Sequence, residues 1–392
     1  MDMLSDSIFG LLRIFLQPLF YILLVFAAFV SYHRVLRERR DFRVRIYGVF
    51  DGIAETIFPG LVMGLAGSIL LLAAGVVLPP GMLALIAALY ILAALTMQLR
   101  LMSPVFTVGV AVLAGFLFPD VRTGVGFIDD WIQQIRGTSA SSSALLLGFL
   151  ILMEGVMIRL RGIRTTPRLL PGKRGKTIGA HEARKFWFVP LCLLLPGGVI
   201  PDFGMWPFTN SGAEGFSLLL VPFGFGFYRL VTDTQPKQAI TAAARRQIWI
   251  GLLVAVLAGI AWYTDIGFLA PVAAGLAVLL GIVTAVFDHV RRKRDTVYFR
   301  QRNDGLMVLG VLPGSAAEKL GVHVGECIQK VNGQPVSDEN DFYEALQQNA
   351  AFCKLEVAGE NGEIRFVQGA LYDDGVYHEL GLLFVAPPKA VL

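Results

Sequence analysis

Five histidines, His33, His181, His289, His323 and His378, are the side chains in this 392-residue chain best suited to general-base work or zinc ligation. Zinc-dependent peptide hydrolysis inside a membrane calls for H-E-x-x-H, because that spacing brings both imidazoles to one helical face with the glutamate between them as base. The run "HEARK" begins correctly at His181 and Glu182, but Lys185 stands where the second histidine belongs. It lies in a basic stretch and reads as the solvated start of a helix. A serine nucleophile needs a base and an orienting acid in contact. "TNSGAEG" (209–215) offers a serine in a short connection, with no enclosing barrel domain, and no histidine falls in the interior of an apolar span. No phosphate-binding glycine loop occurs, and Cys192, Cys327 and Cys353 lack metal-ligand spacing and read as buried or free thiols. The chain is therefore expected not to be an enzyme, with no catalytic residue, no metal and no cofactor.

One acidic residue is placed where a transporter would place one. Glu154, in "LILMEGVMIRL", falls inside an apolar run, and ionisable groups within spans are costly enough to be functional candidates. Its structural reading is an interhelical hydrogen bond or a relation to Arg159. No pair of half-chains repeats a broken-helix pattern, so packing is the better account. Gly64, Gly67 and Gly75 likewise have the small-residue spacing of closely packed helices.

The elements that carry these residues divide in two. Hydrophobic residues make up 55% and charged residues only 16%, against roughly 25% charged in ordinary globular chains. Nearly all the long apolar runs precede residue 290, so residues 1–290 are expected to be a polytopic transmembrane domain of six to nine helices. Candidate spans lie near 8–30, 57–78, 82–99, 103–118, 144–160, 186–200, 216–230, 248–264 and 267–287; those at 186–200 and 216–230 are interrupted by proline and glycine and read as broken or re-entrant. Lysine and arginine mark the cytoplasmic side. Six arginines fall in 31–45, nine basic residues in 159–185, and "RRKR" at 291–294 follows the last span. The parity fits nine crossings with the amino terminus outside and the carboxy-terminal module in the cytoplasm. The charge pattern thus serves topology at a lipid membrane and not nucleic-acid binding.

Residues 291–295 form a basic junction, and residues 296–386 have soluble patterning. Asn303-Asp304-Gly305 marks a turn before an apolar strand, "GLMVLGVL". In "SAAEKLG", Ser315 and Glu318 make an S-x-x-E capping box and Gly321 supplies a left-handed stop. "ECIQKV" alternates and ends at Asn332-Gly333, a tight-hairpin pair. A helix is expected over about Asp338 to Gln348, followed by the strands "CKLEVA", "EIRFVQ" and "LGLLFV".

This order, with the run "PGSAAEKLG...G..I..VNG", resembles a PDZ domain. The fold class expected is thus an α-helical polytopic membrane domain plus a C-terminal α+β PDZ domain. The resemblance implies binding of an extended peptide or a protein carboxy terminus, added as a strand between a sheet edge and a helix. The carboxylate-loop motif is absent before the first strand and present at the far end as "ELGLLF", so the domain is expected to be circularly permuted. Leu380, Gly381, Leu382 and Leu383 are then expected to form the loop and ligand-pairing strand, with Glu339, Tyr343 and Leu346 facing the groove from the helix; Leu346 and Leu382 have core packing as the plainer alternative. Gly381→Trp is expected to weaken peptide binding while leaving the fold intact.

Taken whole, with "RVLRERRDFRVRIYGVF" (34–50) and "GKTIGAHEARKFWF" (175–188), the chain resembles the MinJ family of Gram-positive bacilli. That resemblance implies a scaffold of the cell-division site at septum and poles. DivIVA-like and MinD-like division proteins are its partners in that reading, and self-association is open. The alternatives are a PDZ adaptor for a membrane protease or secretion complex, and a transporter with a regulatory PDZ domain.

Overall fold

A computed structural model describes residues 8–42, 48–117, 119, 122–172, 177–203, 206–207, 215–292, 297–301, 304–349, 352–359, 361–370 and 380–385. The basic junction at 293–295, Asn303 and residues 209–214 of "TNSGAEG" lie outside the described residues. Among the described residues, eight α-helices precede the soluble module: α1 (Pro18–Phe42), α2 (Val49–Ala73), α3 (Pro80–Leu95), α4 (Pro104–Leu117), α5 (Gly126–Arg136), α6 (Ala140–Arg161), α7 (Pro236–Thr264) and α8 (Leu269–Arg292). Their boundaries are written locally. Proline occupies the first turn of α3 and α7, where its missing N–H costs nothing. The Ser139 side chain caps α6 by accepting from the Ser142 N–H, and Asp265 ends α7 in the left-handed conformation. Among the described residues, five helices (α1, α2, α6, α7 and α8) are long and apolar enough to cross a membrane, and α3 and α4 are shorter apolar helices. The amphipathic helix α5 buries Ile132 and Ile135 and leaves Phe127 and Trp131 exposed, an element without a counterpart among the expected spans.

The segments at 186–200 and 216–230 correct the span list. Both are strands. β1 (Thr166–Pro171), β2 (Thr177–Pro201) and β3 (Gly215–Val231) form an antiparallel sheet in the order β1-β2-β3. β2 runs 25 residues, about 80 Å at ~3.3 Å per residue. Its register with β3 is continuous from His181↔Val231 to Pro196↔Phe216, where a bulge at Gly197 and Gly198 breaks the ladder. "HEARK" is therefore strand as well, with His181 and Glu182 buried, and not a solvated helix start.

A strand surrounded by apolar helices needs every backbone group satisfied, because no water reaches it. Beyond residue 182, β2 has β3 on one side and α2 on the other. The Cys192 N–H donates to the Ser68 hydroxyl at 2.8 Å, and the Leu78 N–H donates to the Leu194 carbonyl at 2.9 Å. Gly60 and Gly64 let α2 approach this edge: a Cβ on Gly60 would lie 1.9 Å from the Phe188 carbonyl oxygen, and one on Gly64 2.3 Å from that of Pro190. The small-residue face of α2 thus packs chiefly on a strand, while Gly67 also meets Met153 of α6. At the far edge of β3, Gln17 Nε2 donates to the Leu220 carbonyl (2.8 Å) and Arg100 Nε to that of Tyr228 (3.2 Å). Both edges of the hairpin thus receive hydrogen bonds from the surrounding elements.

Two polar nodes lie within the bundle. Glu154 accepts from the Ser103 hydroxyl at 2.8 Å and from the Gln247 amide, which is the interhelical bonding expected of it, without Arg159. Asp288 on α8 gathers Arg246 at 3.2 Å, Arg229 at 3.3 Å and Arg100 at 3.5 Å, tying α7, β3 and the Leu99–Met102 turn together.

Candidate functional site

The soluble module contains β4 (Leu306–Val311), α9 (Ala316–Lys319), β5 (Cys327–Val331), β6 (Gln334–Pro335), α10 (Glu339–Gln347), β7 (Phe352–Ala358), β8 (Ile364–Ala370) and β9 (Leu382–Phe384). Its sheet runs β8-β7-β5-β4-β9, with β6 paired to β5. Local signals act as expected. Ser315 accepts from the Glu318 N–H, and Gly321 takes φ +70°. The Glu318 carboxylate reaches the Gly314 N–H, one residue earlier than a regular capping box would place it. Asn332 and Gly333 both have positive φ, the conformation that closes a two-residue hairpin, and β5 and β6 pair across them. Asp338 caps α10 by accepting from the Asp341 N–H at 2.8 Å.

The last strand returns to the first. β9 pairs antiparallel with β4, matching Val311 to Leu382 and Val308 to Phe384. Among the described residues β9 has no second neighbour, so its outer side is a sheet edge beside α10. The run "LPGSAAEKLG" supports this edge: the Leu312 N–H donates to the Gly381 carbonyl (2.9 Å) and the Ala317 N–H to that of Leu380 (3.0 Å). Gly381 has φ +81°, and a Cβ there would stand 2.3 Å from Ser315 Cβ. Gly381→Trp therefore cannot leave the fold intact, because a side chain at this position meets strain and a buried serine together.

The expected groove residues separate by face. Leu380, Leu382 and Leu346 are buried in one core cluster with Phe342 and Phe384, whose rings meet edge to face at 4.9 Å; Tyr343 is half-buried against the same cluster and Glu339 sits at the start of α10. The Leu383 side chain turns to the opposite face, towards Gly310 and Pro167 of β1. A strand alternates its side chains, so Leu383 belongs to the contact with β1, and only its backbone lies at the edge.

Sequence reasoning did not anticipate that contact. His181 on β2 places Nε2 2.8 Å from the Leu309 carbonyl of β4, and Nδ1 2.9 Å from the Thr165 hydroxyl. A carbonyl only accepts, so Nε2 carries the proton and Nδ1 accepts from Thr165. The ring lies 5.0 Å from Phe299. Burial pushes its pKa down to about 4, against the opposing pull of the Leu309 carbonyl. Beside it the Gly179 N–H donates to the Phe299 carbonyl (2.9 Å), and the Tyr298 N–H to that of Thr232 (2.8 Å). The module is thus joined to the hairpin by backbone bonds and one neutral histidine.

These features define a class: a helical protein with membrane-compatible spans, bearing an α+β module whose sheet ends in β8 on one side and β9 on the other. Residues 307–357 match the PDZ domain family. Along its length the chain is similar to the cell division topological determinant MinJ of Bacillus subtilis (strain 168), with 39% identity over 95% of this chain and 93% of that protein. It is also similar to the probable cell division topological determinants MinJ of Lacticaseibacillus paracasei and Lacticaseibacillus casei (strain BD-II), each 25% identical over 93% of this chain and 94% of the relative. The chain belongs to the MinJ family of cell division topological determinants.

Proposed function

We propose that this protein is a non-catalytic, multi-pass scaffold of the division site that brings DivIVA-like and MinD-like proteins together at septum and poles. The observation that carries the reading is the likeness to MinJ over 95% of the chain, which takes in the helices, the hairpin and the PDZ domain alike. In this reading α1, α2, α3, α4, α6, α7 and α8 cross the bilayer and the hairpin of β2 and β3 enters and returns. The arginine-rich segments 31–45 and 159–185 and the PDZ domain then share the cytoplasmic side, as the positive-inside rule requires. A partner's peptide adds as a strand to the free edge of β9 and meets Tyr343 and Glu339 on α10. Confinement to the membrane raises the effective concentration of the partners without any chemical step.

Imaging a fluorescent MinD-like protein in cells with the chain deleted tests the scaffold. Loss of polar and septal MinD with misplaced division or filaments is the expected outcome. Unchanged MinD positions would refute it, and co-purification of the chain with a membrane protease would point to the adaptor reading.

A further inference from the structure

Beside the docked PDZ domain, and apart from its groove, lies a cavity of about 420 Å³ whose lining includes Arg37 of α1, Arg100, Arg168 of β1, Glu182 and Arg184 of β2 and Tyr228 of β3. Four guanidinium groups thus face one carboxylate. Glu182 is shared between Arg37 and Arg168 (3.2 Å), and Arg100 is drawn to Asp288 (3.5 Å). Arg184 makes no hydrogen bond or ion pair among the described residues, and its Nε is sealed from solvent. A buried N–H without an acceptor is costly, so the Arg184 Nε leaves an unmet demand for an acceptor on a side chain that lines this cavity. Several planar guanidinium forks converging on one space match the geometry of phosphate oxygens. The volume falls within the roughly 300–1,000 Å³ usual for small-ligand sites.

The surroundings narrow the source of the anion. Leu36, next to Arg37, is 43% exposed; Met97, which lines the cavity, is 47% exposed; and Leu95 is 73% exposed on the end of α3. An exposed apolar side chain, Met97, thus stands in the wall of the charged cavity, with exposed Leu36 and Leu95 on the segments that supply that wall. A hydrated inorganic ion has no use for them, whereas acyl chains do. We propose that the cavity binds a phosphate group, and that the group is the headgroup phosphate of an anionic phospholipid whose chains leave across Leu36, Leu95 and Met97.

The full chain, purified in neutral detergent, is titrated with phosphatidylglycerol, with phosphatidylcholine and with inorganic phosphate while its melting temperature is followed. Phosphatidylglycerol is expected to raise the melting temperature saturably, with phosphatidylcholine and inorganic phosphate giving little. In R184Q the apparent affinity for phosphatidylglycerol is expected to fall about tenfold, the scale of one charge-assisted contact. The lipid-free melting temperature of R184Q is expected not to fall, because the arginine makes no structural bond. R168Q, altered at a more exposed side chain, is expected to weaken the same response. A response to phosphatidylglycerol that is unchanged in both variants places the lipid elsewhere and overturns the site. A full response to inorganic phosphate alone overturns the lipid assignment.

Discussion

Gly381 shows how much one residue decides in the PDZ edge. Its φ of +81° and the 2.3 Å approach of a Cβ there to Ser315 make it the point where the chain enters β9. Gly381→Ala is expected to destabilise the PDZ domain by about 1–3 kcal/mol through backbone strain and overpacking, read as a lower melting temperature of that domain by limited proteolysis. Melting unchanged by the alanine would show that the edge does not need this conformation. Tyr343 makes the cleaner groove probe, being half-buried on α10 and outside the fully buried core. Tyr343→Asp is expected to weaken binding of a carboxy-terminal peptide library about tenfold or more while shifting PDZ melting by roughly 1 kcal/mol or less. Undiminished peptide capture by this variant would move the groove away from α10.

At the scale of elements, the seating of α2 on β2 is the feature that hydropathy hides. "FWFVPLCLLLPGGVI" and "FSLLLVPFGFGFYRL" are mostly apolar, because the strands they form are covered on both faces over much of their length. A fully buried strand and a buried helix give the same uninterrupted apolar run, so periodicity cannot separate them. Proline and glycine in both segments were the available signal, since they argue against an unbroken helix. Gly64, in the small-residue spacing with Gly67 and Gly75, carried a second signal that could be read only as close packing, without the partner. Gly60→Val is expected to prevent α2 from reaching the Phe188 carbonyl and to cost several kcal/mol, seen as loss of monodisperse folded protein in detergent. Gly275→Ala is the matched control: its new Cβ would have its nearest contact at 3.7 Å, ordinary van der Waals distance, and stability is expected to hold or rise. Equal tolerance of both changes would contradict the close helix-strand contact.

For the whole molecule, the decisive joint is the one between the hairpin and the PDZ domain. His181 is neutral there, with a pKa lowered from 6.5 to about 4 when docked. Released from the joint, the imidazole takes up a proton near pH 6.5, so the undocked state binds more protons between these values. Docking is therefore fully supported above pH 6.5 and weakens progressively as the pH falls towards 4, by on the order of a few kcal/mol across the window. Cross-linking between cysteines introduced on β2 and β4 is expected to decline from pH 7 to pH 5. In His181→Gln, whose amide still donates to Leu309 but does not titrate, that decline is expected to be absent. An equal decline in the variant would assign it to carboxylates elsewhere.

Composition and turn chemistry by themselves determined the division into an apolar helical half and a PDZ half, and most elements of the latter. Those features follow from local rules: the capping serine at 315, the Asn332-Gly333 turn and the alternation of "ECIQKV" act within a few residues of themselves. The displaced "ELGLLF" motif also made the permuted strand order legible, since β9 needed only to find β4. Tertiary structure alone decided that two apolar runs are strands and that Glu154 meets Ser103 and Gln247. It also decided that Leu383 faces β1, that His181 pins one domain to the other, and that four arginines from distant segments share a cavity. Each of these depends on which surface arrives opposite, and a residue's own neighbours in sequence carry no record of that.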